Sequence, residues 1–268
     1  MDGYLQENLE LWNEVTPIHA GSPFYDVPGF KAGRNTLKSI ELGEVGDVKG
    51  KTLLHLQCHF GMDTLSWARL GACVTGVDFS DKAIEQARAL SQELGIPGRF
   101  ICCDVYDLPG LVSDSFDIVY TSYGVLCWLS DLGKWAEVIS NFLKPGGMFY
   151  IVEGHPILNI FDNSNTATRL EVTQSYFHEP QPIRWEPEGD YAEREAVVQH
   201  ASYEWTHSLG DIVNALIGAG LRIEFLHEFP VSSYYWAPFT KKDEDGWWRI
   251  DDGKIPMLFS LRANKPPS

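Results

Sequence analysis

The chain has 268 residues, 44% of them hydrophobic and 22% charged, enough to bury its own core and too apolar for a disordered chain. Its 21 Lys+Arg against 37 Asp+Glu leave a net charge of −16, which speaks against nucleic-acid and anionic-membrane partners, since both are gripped by basic side chains on phosphate. No apolar run approaches the roughly 20 residues of a membrane-spanning helix, and Met1-Asp2-Gly3-Tyr4 opens without a basic or apolar leader. A cytoplasmic location is therefore expected. The five cysteines are odd in number and form no CxxC pair, so buried free thiols and no metal are expected.

Residues 1–50 open on a helical pattern (Leu5, Leu9, Trp12), followed by an aromatic Pro/Gly stretch at Pro23–Phe30; this segment is read as an N-terminal lid. From 51 to 154 short apolar runs alternate with helical ones. The strands are Lys51–Gln57, Ala72–Asp78, Arg99–Asp104, Phe116–Ser122 and Met148–Glu153. Between them, Ser80 can cap a helix carrying Ile84, Ala87, Leu90 and Leu94, and a second helix near Ser130–Leu143 stops at Lys144-Pro145-Gly146-Gly147. Residues 155–205 hold Pro156, Pro180, Pro182 and Pro187 and strand-like runs near Leu170–Phe177 and Ala196–Tyr203, read as an inserted antiparallel cap. In 206–268 a helix at about Ser208–Gly218, with Thr206 as its cap and Gly220 at its end, precedes two closing strands, Leu221–Phe229 and Met257–Asn264.

Strands apolar on both faces, separated by amphipathic helices, predict an α/β fold. It is a doubly wound, mostly parallel sheet with helices on both faces, and all four segments belong to one domain. In such sheets ligands bind beyond the carboxyl ends of the strands, so the chemistry should lie just past each one. After the first strand, Gly61 stands where the chain turns into a helix whose free N–H groups face the loop; His55, Gln57, Cys58 and Met62 flank it. Asp78 ends the second strand and can accept from both hydroxyls of a ribose, with Phe79 beside it; its other reading is a helix-capping acid before Ser80. Asp104 ends the third and can accept from an exocyclic amino group while the Val105 N–H donates to a ring nitrogen, the pair of groups adenine offers. The pattern GxGxxG is absent, which removes most of the case for a nicotinamide dehydrogenase.

The successive stretches LLHLQCHFGMDTL, VTGVDFS, FICCDVYDLP, FDIVYTSYGVLCWL and LKPGGMFYIVE together resemble the class I S-adenosylmethionine-dependent methyltransferases, small-molecule type, over about a hundred residues. The resemblance implies a seven-stranded sheet closed by an antiparallel hairpin, with S-adenosyl-L-methionine as cofactor and S-adenosyl-L-homocysteine as product. It further implies Asp78 on the ribose, Asp104 and Val105 on the adenine, and the first loop with Thr121 and Tyr123 on the methionine portion. The sequence departs from the family where His55 stands for an acid and Gln57 and His59 for glycines; the contact to the cofactor's amino group then falls to backbone carbonyls or to Gln57.

Methyl transfer needs positioning above all, and a base only for an acceptor of high pKa. Tyr123, His155 and His207 are the candidate catalytic groups, with His200 behind them, although each His can equally be structural. Trp12, Tyr25, Tyr234, Tyr235 and Trp236 are expected to line the substrate pocket for a flat ring or an organic cation. The alternatives are a non-catalytic nucleotide-binding scaffold and, disfavoured by charge, a nucleic-acid or protein methyltransferase. Oligomeric state is left open.

Overall fold

The computed structural model describes residues 3–187, 189–250 and 253–267; Met1 and Asp2 of the leader reading lie outside them. Three helices precede the sheet: α1 (Gly3–Gly21), α2 (Val27–Lys31) and α3 (Ser39–Val45). The core then alternates β1 (Thr52–Leu56), α4 (Met62–Arg69), β2 (Cys73–Asp78), α5 (Asp81–Leu94), β3 (Arg99–Cys102), β4 (Phe116–Ser122), α6 (Leu132–Phe142) and β5 (Leu143–Gly154). Next come β6 (Ile183–Trp185), β7 (Ser202–Glu204), α7 (Leu209–Gly218), β8 (Arg222–Phe229), β9 (Thr240–Lys242), β10 (Trp248–Ile250) and β11 (Leu258–Asn264). The main sheet has seven strands in the order β3-β2-β1-β4-β5-β11-β8. The five core strands pair in parallel, and β11 inserts antiparallel to both β5 and β8, as the resemblance implies.

Alternate strand residues feed two layers of core. Leu54, Leu56, Val119, Phe149 and Ile151 pack under Trp135 and Ile139 of α6 and under Ile212 and Leu216 of α7. On the opposite face Leu53, Ile118, Tyr120 and Tyr150 meet Trp67 of α4 and Val45 of α3, while Phe100 packs on Ile84 and Ala87 of α5. Burial of this kind contributes roughly 25 cal/mol per Å² of apolar surface, which is why the pattern was readable along the chain. Strand order reverses between β1 and β4, and the loops leaving β1, β2, β3 and β4 surround that reversal.

Outside the core several expectations need correction. The run Leu170–Phe177 forms no strand: only Val172 makes a bridge, to Phe161, and Val172 and Phe177 are exposed. The run Ala196–Tyr203 shrinks to β7, which pairs antiparallel with β6. Between the closing strands a small β9–β10 hairpin appears that charged, three-residue strands had hidden. Ser208, not Thr206, caps α7, in a capping box with Asp211, while Gly220 does take a left-handed φ of 81°. Of the cysteines, Cys58 is buried but Cys73 and Cys102 are exposed. Among the described residues no helix is long and apolar enough to cross a membrane.

The cap closes over the N-terminal helix. Asn8 of α1 donates to the Tyr203 carbonyl and accepts from its N–H, both at 2.8 Å. The Glu14 carboxylate accepts from the N–H groups of Gln199 and His200. Ser80 Oγ, at the start of α5, donates to Asn13 Oδ1 at 2.7 Å. One helix thus joins the cap to the parallel core.

A candidate active-site cleft at the strand ends

The loop leaving β1 keeps a glycine-like path without most of its glycines. Gln57, His59 and Gly61 have φ of 55°, 48° and 78°. For a non-glycine residue the left-handed region costs on the order of 1–2 kcal/mol, so the surroundings must hold the loop in place. The Cys58 N–H donates to the Val77 carbonyl at 2.9 Å, the His59 N–H to Asp78 Oδ2 at 2.8 Å, and Gln57 Nε2 to the Val125 carbonyl at 3.0 Å. Only Gly61 is sterically required: a Cβ there would lie 2.7 Å from the Phe100 ring and 2.9 Å from Ala87. His55 points into the sheet's packed face, with Nδ1 2.8 Å from Thr64 Oγ1, and burial depresses its pKa to about 3. It is a neutral ring where the sequence resemblance implies an acid.

Asp78 and Asp104 open onto one cleft of about 1840 Å³. Asp78 accepts from the N–H of His59 and of Ser80, and burial raises its pKa to about 6. Asp104 accepts from the Tyr106 N–H at 3.0 Å and is likewise raised by burial. His55, Gln57, Cys58, Gly61, Met62, Phe79, Val105 and Tyr123 line the same space. Thr121 does not: it is buried between strands, and its Oγ1 donates to the Leu56 carbonyl at 3.1 Å. Tyr123 takes a φ of 36° and donates its hydroxyl to Glu41 at 2.9 Å. Glu153, which the sequence reading gave no role, shapes the turn beyond β4 by accepting from the N–H groups of Val125 and Gly154 at 2.7 and 2.6 Å.

The opposite wall is aromatic. Trp12, Tyr25, Tyr234, Tyr235 and Trp236 all line the cleft, joined by Trp128, Tyr191 and Trp205. Trp236 also packs on Leu158, Ile250 and Met257, so much of it is core. The Arg194 guanidinium lies 3.8 Å over the Tyr235 ring.

Two of the proposed bases lie elsewhere. His155 continues the pairing of β5 with the chain before β11, its N–H donating to the Met257 carbonyl, which turns the side chain toward β8. Its Nε2 lies 2.8 Å from Glu228, and Nδ1 accepts from the Ile157 N–H. His207 donates from Nε2 to the Leu129 carbonyl at 2.7 Å and stacks on His178. Neither is among the cleft's lining residues. His200 faces Glu10 at 3.5 Å, and with Glu7 these form the group of possible cation ligands found among the described residues, also outside the cleft lining.

A different histidine pair joins the last turn of α1 to the loop after β1. His19 Nδ1 is 2.8 Å from His59 Nε2, and His19 Nε2 is 3.0 Å from both Asp190 oxygens. Tyr25 stacks on His19, and Trp12 meets both imidazoles edge-on. His59 stood in the sequence only as a replaced glycine; His19 and Asp190 lay in segments without a readable pattern.

Residues 54–151 match the family described as a methyltransferase domain. Two ubiquinone biosynthesis O-methyltransferases, from Chromobacterium violaceum and Caulobacter vibrioides, are each 31% identical, over 43% and 38% of this chain. The matches cover 50% and 40% of those relatives; the chain thus spans about half or less of their length. An S-adenosylmethionine-dependent methyltransferase from Mesorhizobium loti superposes with a TM-score of 0.59 at 22% identity, covering 92% of this chain and 100% of that one. The glycopeptide N-methyltransferase MtfA, solved with S-adenosyl-L-methionine, gives 0.55 at 17% identity, over 84% and 90%.

Proposed function

We propose that this chain, whose residues 54–151 match a methyltransferase-domain family, is a class I enzyme that transfers a methyl group from S-adenosyl-L-methionine to a hydroxyl of a small aromatic molecule. The observation that carries the reading is the convergence of two strand-end acids, Asp78 and Asp104, on one cleft faced by an aromatic wall. The residues suit the cofactor. The buried Gln57 Oε1 has no partner in the protein, and such an acceptor is what an ammonium group needs where the family's acid has become His55. In this reading Asp78 holds the ribose hydroxyls, Asp104 with the Val105 N–H holds the adenine, and the first loop with Tyr123 holds the methionine portion.

When bound, S-adenosylmethionine supplies a sulfonium-activated methyl group. What remains for the protein is alignment and exclusion of water. Trp12, Tyr25, Tyr234 and Tyr235 would sandwich a flat acceptor, and the curated relatives' names favour oxygen as the methylated atom. Arg194 already covers a face of Tyr235 that an organic cation would use, so we favour a phenol over a cation. The proposed reaction needs no metal, nucleic acid or membrane, and we assign it to the cytoplasm. Calorimetry tests the cofactor assignment: S-adenosylhomocysteine should bind, and Asp78→Ala and Asp104→Ala should each weaken it about tenfold or more, as loss of a charge-assisted hydrogen bond implies. Methylated product from a panel of phenols, seen by mass spectrometry, tests the reaction. Unchanged affinity in both variants would remove the assignment.

A further inference from the structure

Resting on that reading, we propose that His59 is the proton acceptor of the site and that His19 and Asp190 are the positioning residues that prepare it. The Asp190 carboxylate lies 3.0 Å from His19 Nε2 and can only accept, so that nitrogen carries the hydrogen. With one hydrogen per ring, His19 Nδ1 is then bare and accepts from His59 Nε2 at 2.8 Å. This leaves His59 Nδ1 as a lone pair, and that nitrogen is buried with no partner in the protein. The aspartate thus fixes two tautomers in series and delivers a free base on a residue that lines the cleft.

The surroundings hold this arrangement in place. Asp190 Oδ1 also accepts from the Ala192 N–H at 2.8 Å, and the His59 N–H is fixed on Asp78. Tyr25 and Tyr191, hydrogen-bonded through their hydroxyls, and Trp12 pack around the His19 ring. Asp78, Tyr25, Tyr191, His19 and Asp190 are the titratable groups about the His59 ring. In the step itself the acceptor oxygen forms a bond to the methyl carbon as the carbon–sulfur bond breaks, its electron pair remaining on sulfur. The hydroxyl proton passes to His59 Nδ1. Transfer of the Nε2 hydrogen to His19 then moves the positive charge to the ring that faces Asp190.

Two measurements test this. In ¹⁵N-histidine NMR of the full chain with S-adenosylhomocysteine, both rings should be Nε2–H tautomers with His59 Nδ1 unprotonated; a hydrogen resting on that nitrogen overturns the proposal. His59→Asn keeps a residue that tolerates the left-handed backbone. With catechol and ring-fluorinated phenols as acceptors, it should lose about 100-fold in turnover on the least acidic phenol, as removal of a general base does. The loss should shrink with more acidic phenols and with rising pH, while S-adenosylhomocysteine affinity stays unchanged. A loss uniform across the phenols, or one matched by lost cofactor affinity, assigns His59 to cofactor contact and overturns the proposal. If the wild-type chain methylates none of them, the phenol reading fails and the tautomer measurement alone decides on the relay.

Discussion

Glu41 shows how burial and bonding set a residue's charge. It is fully buried on α3, accepts from the Lys38 N–H at 2.6 Å and from the Tyr123 hydroxyl, and burial pushes its pKa up to about 7 from an ordinary 4.5. A carboxyl whose folded pKa is raised favours the fold when protonated. Its contribution is complete below about 4.5 and is lost as pH rises through about 7. The shift of about 2.5 pKa units corresponds to at most ~3 kcal/mol. Glu41→Gln should therefore remove that slope: urea denaturation from pH 4.5 to 7 should show the variant gaining on the wild type as pH rises. Parallel curves for the two proteins would reject burial as the controlling effect. The sequence offered no hint of this residue, because nothing in Ser39–Val45 says that its first turn will meet Tyr123, the residue just past β4.

At the scale of the element, the loop after β1 separates backbone shape from residue type. Gln57 and His59 hold glycine-like torsions because Asp78, Val77 and Val125 bind the loop from three sides, while Gly61 is needed for space as well as torsion. Gly61→Ala should destabilise the chain by roughly 2–3 kcal/mol, about 1 from the positive φ and the rest from the clash with Phe100. Adding Phe100→Leu should return the part of the clash made by the Phe100 ring and leave the Ala87 contact and the torsional part, read as a partial recovery of the melting temperature. A full recovery would show that torsion contributes nothing. The strands of the core were readable because each is apolar on both faces: β4 came out to the residue as Phe116–Ser122. The loop's shape was not, since residue types at Gln57 and His59 argue against the very torsions that their neighbours impose.

Across the whole molecule, the core and its cover differ in how they are encoded. The parallel sheet follows a local rhythm of runs and turns. The roof depends on single contacts between α1 and residues 190–205: Asn8 with Tyr203, Glu14 with Gln199 and His200, His19 with Asp190. Neither side shows a periodicity that announces the other, which is why the cap strands were misjudged and the His19–His59–Asp190 contacts went unread, while Trp12, Tyr25 and Tyr234–Trp236, picked out by their place in the chain, do line the cleft. Asn8→Ala should raise amide hydrogen exchange in 199–205 and in 3–21 together, leaving β1 and β4 protected; exchange confined to one of the two segments would mean that they open independently. The Asn8–Tyr203 pairing spans 195 positions. During synthesis, therefore, α1 leaves the ribosome long before the segment it will clasp exists, and the nascent sheet has time to assemble around an uncovered hollow. A chain halted before residue 190 would hold the five parallel strands but neither the roof nor β8 and β11, which close the sheet's other edge.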